Sequence, residues 1–233
     1  MKPAISALKP ARVERRETSE PDQATPSVER AGVRWGWLAL LIVSLLFLGV
    51  SAYLAHRHTL SGVELSFFHV VNDWPDKFRP LFLVATIAPE SLWFGAAAVI
   101  IVFVLKMYRA SWQLAVATIG GYVAAFAGKH FVARPRPVEL VSDAHVRVHE
   151  TGMGFPSGHT MMLTVIILIL WPYLPRGWRW AIAFVGISLM GLSRIYLGVH
   201  GPLDVVGGFA VGAIVVATLR VLPQKLRTFF RFD

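Results

Sequence analysis

Three short groups of residues in this chain carry side chains that could do chemistry together. Lys129 is followed seven residues later by Arg136-Pro137. Pro156-Ser157-Gly158-His159 comes next, and Ser193-Arg194 is then followed by His200 and Asp204. Together they offer three cations, two imidazoles and a carboxylate. The cations suit the oxygens of a phosphate, because an arginine fork contacts two of them at once and a lysine acts as a point charge. Two histidines suit a nucleophile and an acid. Asp204 lies four residues after His200. At the start of a helix that spacing can bring the carboxylate to the imidazole Nδ1–H, fix the tautomer and leave Nε2 to attack phosphorus.

Each group also has a plainer reading. Pro156-Ser157-Gly158-His159 stands directly before an apolar run. A helix N-terminus there would offer free N–H groups and a positive dipole end to an anion. Gly158 would let the backbone approach closely, and the Ser157 hydroxyl would add a donor. The same four residues could equally be a helix cap beside an interfacial histidine. Asp204 could be only a helix-start charge. Lys129, Arg136 and Arg194 stand at the ends of apolar runs, where basic side chains snorkel to lipid headgroups. Arg57, Arg134 and Arg147 are read in that plainer way, or as attracting an anionic substrate; Arg134-Pro135 has the wrong spacing from Lys129. His56, His58 and His69 read as interfacial, and His130 as a support for its neighbour Lys129. His145 and His149, with Asp143 and Glu150 nearby, could ligate a metal, but no zinc-type spacing surrounds them. No metal or cofactor is expected.

The surrounding elements must hold these groups at a membrane. Of the 233 residues 55% are hydrophobic, and the mean hydropathy is +0.55. A soluble domain has about 45–50% apolar residues. The excess is gathered into runs approaching the ~20 residues a helix needs to cross a bilayer. Six spans are predicted: Trp35–Ala55, Pro80–Leu105 with a kink at Pro89, Ala110–Gly128, His159–Leu174, Trp180–Val199 and Leu203–Leu219. Residues 63–71 read as an amphipathic stretch lying at the interface. Gly208 and Gly212 form a small-xxx-small pair, the mark of a helix-packing face. Residues 1–34, polar and proline-containing, read as a disordered cytoplasmic tail with no signal peptide. Residues 35–222 are read as the membrane domain, and 223–233 as a basic cytoplasmic end. Cysteine is absent, which excludes thiolate and disulfide chemistry.

The net charge of +9 does not point to nucleic acid, because the basic residues cluster at the ends of apolar runs. Fifteen lysines and arginines fall on the side that carries both termini and eight on the other. Positive-inside then places both termini in the cytoplasm and all three groups on the outer face.

In combination, K-x6-R-P, P-S-G-H and S-R-x5-H-x3-D resemble the type 2 phosphatidic acid phosphatase (PAP2) superfamily, which includes bacterial membrane lipid phosphatases and soluble vanadium haloperoxidases. The match runs from Lys129 to Asp204 without a departure at any motif position. The six-span layout extends it over residues 35–222. The resemblance implies an all-α, integral-membrane bundle of six transmembrane helices. It implies that Lys129, Arg136, Ser157, Gly158 and Arg194 bind phosphate, that His200 attacks phosphorus with Asp204 orienting it, and that His159 protonates the leaving oxygen. Water would then hydrolyse the phosphohistidine, with no metal.

The expected activity is hydrolysis of a lipid phosphate at the outer face of the cell membrane. Undecaprenyl diphosphate, phosphatidylglycerol phosphate, phosphatidic acid and a lipid A phosphate are the substrates considered, with vanadate as an inhibitor. The alternatives are a phosphotransferase passing the phosphoryl group between lipids, and a non-enzymatic phospholipid or polyprenyl phosphate transporter. A soluble haloperoxidase is disfavoured by the spans.

Overall fold

The computed structural model describes residues 26–84 and 91–230. All regular structure among them is helical. The helices are α1 (Pro26–Ala55), α2 (Gly62–Asn72), α3 (Arg79–Val84), α4 (Ser91–Val104), α5 (Tyr108–Val132), α6 (Pro137–Leu140), α7 (Gly158–Leu170), α8 (Arg179–Tyr196), α9 (Pro202–Val221) and α10 (Gln224–Phe230). Short 3-10 turns precede α3 and follow α7.

α7 is apolar on every side and is the central helix, as its composition requires. It packs on α9, α5, α4 and α8, while α1 lies along the other side of α9. The main core is formed by Leu114 and Ala117 of α5, Met161, Met162, Val165 and Ile169 of α7, and Val211 and Val216 of α9. The Gly208/Gly212 face does what its spacing predicts. A Cβ at Gly212 would stand 2.6 Å from the Met161 carbonyl oxygen, and one at Gly208 would run into that of Ser157. Only hydrogen at these positions lets α9 touch the α7 backbone.

The outer surface is apolar where a bilayer would touch it. Leu45, Leu46, Phe47 and Val50 of α1 and Trp180, Phe184 and Val185 of α8 are all exposed. An apolar surface this extensive marks a membrane protein. Among the described residues, three stretches are long and apolar enough to cross a bilayer, Arg34–Ala55, Tyr108–Leu140 and Pro202–Val221. Leu92–Val104 and Gly158–Tyr173 are shorter apolar helices.

Several expected boundaries move. α1 begins at Pro26, inside the segment read as a tail. Proline is favoured in a helix's first turn, and nothing between it and Trp35 breaks a helix. The rest of that tail, residues 1–25, lies outside the described residues. Of the span expected over 80–105, α3 and α4 are described, and the kink expected at Pro89 lies outside the described residues. α5 continues past Gly128, so Lys129 stands inside its last turn. α8 ends at Tyr196, leaving Val199 in the following loop. The stretch expected at the interface, residues 63–71, is helical and forms α2.

Candidate functional site

Antiparallel packing of successive helices brings the C-termini of α5 and α8 and the N-termini of α7 and α9 to one end of the bundle. α5 stops because Ala133 turns into the left-handed region (φ 52°), where its N–H still bonds the Lys129 carbonyl. The chain then runs Arg134-Pro135-Arg136-Pro137. Each proline disfavours a helical conformation in the arginine before it. Arg136 is accordingly extended (ψ 161°) and becomes the N-cap of α6. At the other junction, Gly201 and Pro202 start α9, and the Asp204 carboxylate turns back to accept the Gly201 N–H at 2.7 Å.

Hydrogen bonds tie the three motifs together. Arg136 Nη1 donates to the Val199 carbonyl at 2.8 Å, joining the first motif to the third. Lys129 Nζ donates to the Met153 carbonyl at 2.6 Å, joining the first to the loop that enters the second. The Ser157 N–H donates to the Asp204 carbonyl at 2.9 Å, joining the second to the third. The His200 N–H reaches back to the Arg194 carbonyl at 3.3 Å.

His200 is buried, and its Nδ1 stands 3.6 Å from Asp204 Oδ2. The carboxylate therefore faces the imidazole, as the four-residue spacing predicts, at a distance longer than a hydrogen bond. Such contacts are often long before substrate binds. Burial, and then the positive charges of Arg136, Arg194 and Lys129, hold the His200 pKa well below the ordinary histidine value. The ring is thus neutral at physiological pH, the form that can attack phosphorus. Ser157 is fully buried at the N-cap of α7. Its Oγ accepts from Thr160 Oγ1 at 3.1 Å, which leaves the Ser157 O–H able to donate. His159 is buried one turn-position further on, its ring stacked on Phe94 with centroids 6.4 Å apart.

Two carboxylates complete the site, and the sequence reading did not place either there. Glu150 bridges two of the motif cations. Its Oε2 lies 3.2 Å from Arg136 Nη1, and its Oε1 accepts from Arg194 Nη2. Although burial raises its pKa, the guanidinium groups of Arg194 and Arg136 outweigh that and bring it down to about 2. Glu64, from α2, holds Arg134 through both oxygens, at 2.9 and 2.7 Å. Its Oε1 also accepts the Leu203 N–H at 3.2 Å. The available signals were slight: three motif cations against the single carboxylate of Asp204, and Glu64 as the lone acid of the amphipathic stretch.

Arg134 is accordingly not a snorkelling residue. It is fully buried and spans Glu64 and Asp204, with Nη1 3.1 Å from Asp204 Oδ1 and Nη2 2.8 Å from the Thr59 carbonyl. Arg147 is not one either. It donates to Asp76 Oδ1 and to the Asn72 and Tyr196 carbonyls, each at 2.7 Å, with its guanidinium 4.0 Å over the Tyr196 ring. Arg57 is exposed, over the Tyr53 ring. His130 is exposed and turns to the Phe126 carbonyl, away from a role beside Lys129. His145 pairs with Asp73 at 3.7 Å. Among the described residues, no group of three or more His, Asp or Glu gathers in a way that could hold a metal ion.

The sequence pattern of the PAP2 superfamily matches residues 110–228, half of the chain. An undecaprenyl-diphosphatase of Sulfolobus acidocaldarius is 23% identical over 178 residues, covering 76% of this chain and 85% of that protein. Phosphatidylglycerophosphatase B of Bacillus subtilis is 36% identical over 110 residues, covering 43% of this chain and 52% of that protein. Among solved structures, that of LpxE from Aquifex aeolicus is similar with a TM-score of 0.57 and 27% identity, over 68% of this chain and 94% of that one.

Proposed function

The chain belongs to the PAP2 superfamily, and from that premise we propose that it is an integral-membrane lipid phosphatase working through a phosphohistidine. The observation that supports this reading is the hydrogen-bonded grouping of the three motifs about the buried His200, whose pKa burial and the charges of Arg136, Arg194 and Lys129 hold low. Binding alone would need the cations. It would not need a nucleophile kept neutral among them, with a carboxylate behind its Nδ1.

The reaction runs in two displacements. The phosphate seats on Lys129, Arg136 and Arg194, with the Ser157 hydroxyl and the Gly158 N–H at the start of α7 adding donors. His200 Nε2 attacks phosphorus, the N–P bond forms and the bond to the leaving oxygen breaks. His159 gives that oxygen its proton. Asp204 stabilises the positive charge that develops on the imidazole. Water then attacks the phosphohistidine, losing its proton to His159, and inorganic phosphate leaves. The three fixed cations offset the charge that develops on the transferring group.

The proposed substrate is a phosphate monoester or diphosphate lipid whose tail stays in the bilayer, such as undecaprenyl diphosphate, phosphatidylglycerol phosphate or phosphatidic acid. The names of the relatives support this class. The proposed architecture is a six-span bundle in the cell membrane, both termini cytoplasmic and the site on the outer face. The test is release of phosphate from a panel of these lipids by the purified chain, with and without EDTA. Turnover that survives the chelator and is inhibited competitively by vanadate is expected, since vanadate mimics the five-coordinate transition state. Loss of activity on chelation, restored by one metal, would refute the metal-free mechanism.

A further inference from the structure

Glu150 stands where this chemistry should have no anion. Its carboxylate bridges Arg136 and Arg194, two of the cations that the phosphate reading assigns to substrate oxygens. Two explanations compete. The carboxylate could be a scaffold that aligns the guanidinium groups, or it could be an occupant of their ligand position.

The remaining partners of Arg136 decide between them. Its Nε donates to the Gly152 carbonyl at 3.0 Å, its Nη2 to the Thr151 carbonyl at 3.2 Å and its Nη1 to the Val199 carbonyl at 2.8 Å. Three backbone carbonyls on two loops thus fix the plane of this guanidinium without Glu150. Arg194 stands in the last turn of α8 with its side chain only 2% exposed, and its Nη2 meets Glu150. Its Nε is buried without a hydrogen-bond partner among the described residues. The carboxylate, by contrast, is 21% exposed and so reaches the cations from the solvent side. Because Arg136 holds the carbonyls of Thr151 and Gly152, Glu150 can leave by rotating its own side chain while the loop stays in place.

We propose that Glu150 is a resident anion which the incoming phosphate displaces from Arg136 and Arg194, and that it sets how highly charged a headgroup must be to enter the site. The two oxygens of a carboxylate and any two of a phosphate present a similar bite to paired arginines. A singly charged phosphodiester, the group carried by the bulk lipids of a bilayer, would exchange one negative charge for another and gain little. A terminal phosphate carries a second charge and gains from it at all three cations. Glu150 therefore sets an affinity threshold that a doubly charged headgroup passes and a singly charged one does not, and this inference rests on reading the site as a phosphate cradle.

The experiment compares the full-length protein in detergent with Glu150→Gln, by calorimetric binding of two soluble probes, inorganic phosphate and dimethyl phosphate. The wild type should bind inorganic phosphate and take dimethyl phosphate only weakly. Removing the competing charge should tighten both by about tenfold or more, the scale of one charge-assisted hydrogen bond. The KM for a lipid phosphate should fall in parallel. Unchanged or weaker phosphate binding in Glu150→Gln would make the carboxylate a scaffold and overturn the proposal. Glu150→Asp, too short to span both guanidinium groups, should shift binding in the same direction, and it decides the matter if the glutamine variant does not fold. A wild type that binds phosphate but releases none from any lipid would refute the proposed function alone. An active Glu150→Gln with unimproved phosphate binding would refute the present inference alone.

Discussion

His159 and His200 should fail in different ways when replaced. In the proposed mechanism His200→Ala removes the nucleophile, so no phosphoryl-enzyme should form with any substrate. His159→Ala should remove only the proposed proton donor, and a general acid is worth about 10²–10⁴-fold. A lipid diphosphate leaves as a phosphate monoester, which needs less protonation than the alkoxide leaving from a monophosphate. Steady-state rates on both substrate types should therefore show His159→Ala impaired most on monophosphates. Equal loss on both, with folding intact, would remove the leaving-group role from His159. The grouping of these motif residues was legible in the sequence because it depends on type and local spacing, as with His200 and Asp204 four residues apart. Arg134, Glu64 and Glu150 were not. Arg134 lies 70 residues from Glu64 and 70 from Asp204, and Glu150 lies 44 from Arg194. A single basic residue at the end of an apolar run looks the same in sequence whether it meets a lipid headgroup or a buried carboxylate.

Among the elements, α2 matters beyond its expected place at the interface. Its Glu64 meets Arg134 from the α5 turn, and Arg134 meets Asp204 on the first turn of α9. At its other end Asn72 is buried and donates to the Ile195 and Tyr196 carbonyls at 3.1 and 3.2 Å, just after Arg194. α2 thus clamps the elements that flank His200 and carry Asp204. Replacing Arg134 by Ala would leave Glu64 and Asp204 as uncompensated buried charges, a loss of about 3–5 kcal/mol for a buried pair broken on one side. Thermal unfolding in detergent should show a clear drop for Arg134→Ala and a smaller one for Arg134→Lys. Wild-type stability in Arg134→Ala would mean that the pair contributes nothing. The helices themselves were legible wherever apolar runs are long, as in α1, α5 and α9. Where a boundary moved, a polar residue misled the reading. Lys129 was taken as lying beyond a helix that in fact carries it in its last turn, since the left-handed turn at Ala133, which ends that helix, leaves no mark in its residue type.

For the molecule as a whole, the account joins a sidedness to a chemistry. By the positive-inside rule, the fifteen-to-eight division of lysine and arginine predicts that the motif end of the bundle faces outside. An export-dependent reporter fused after Asp233 should therefore be silent, and strong activity from it would reverse the orientation. The central claim is that His200 carries the phosphoryl group. The full-length protein, reconstituted in vesicles and supplied with a lipid phosphate labelled on its terminal phosphorus, should be quenched in alkali during turnover and digested. The account expects an acid-labile, alkali-stable label on the peptide containing His200, and none in His200→Ala. Turnover by His200→Ala at the wild-type rate, or label on another residue, would contradict it.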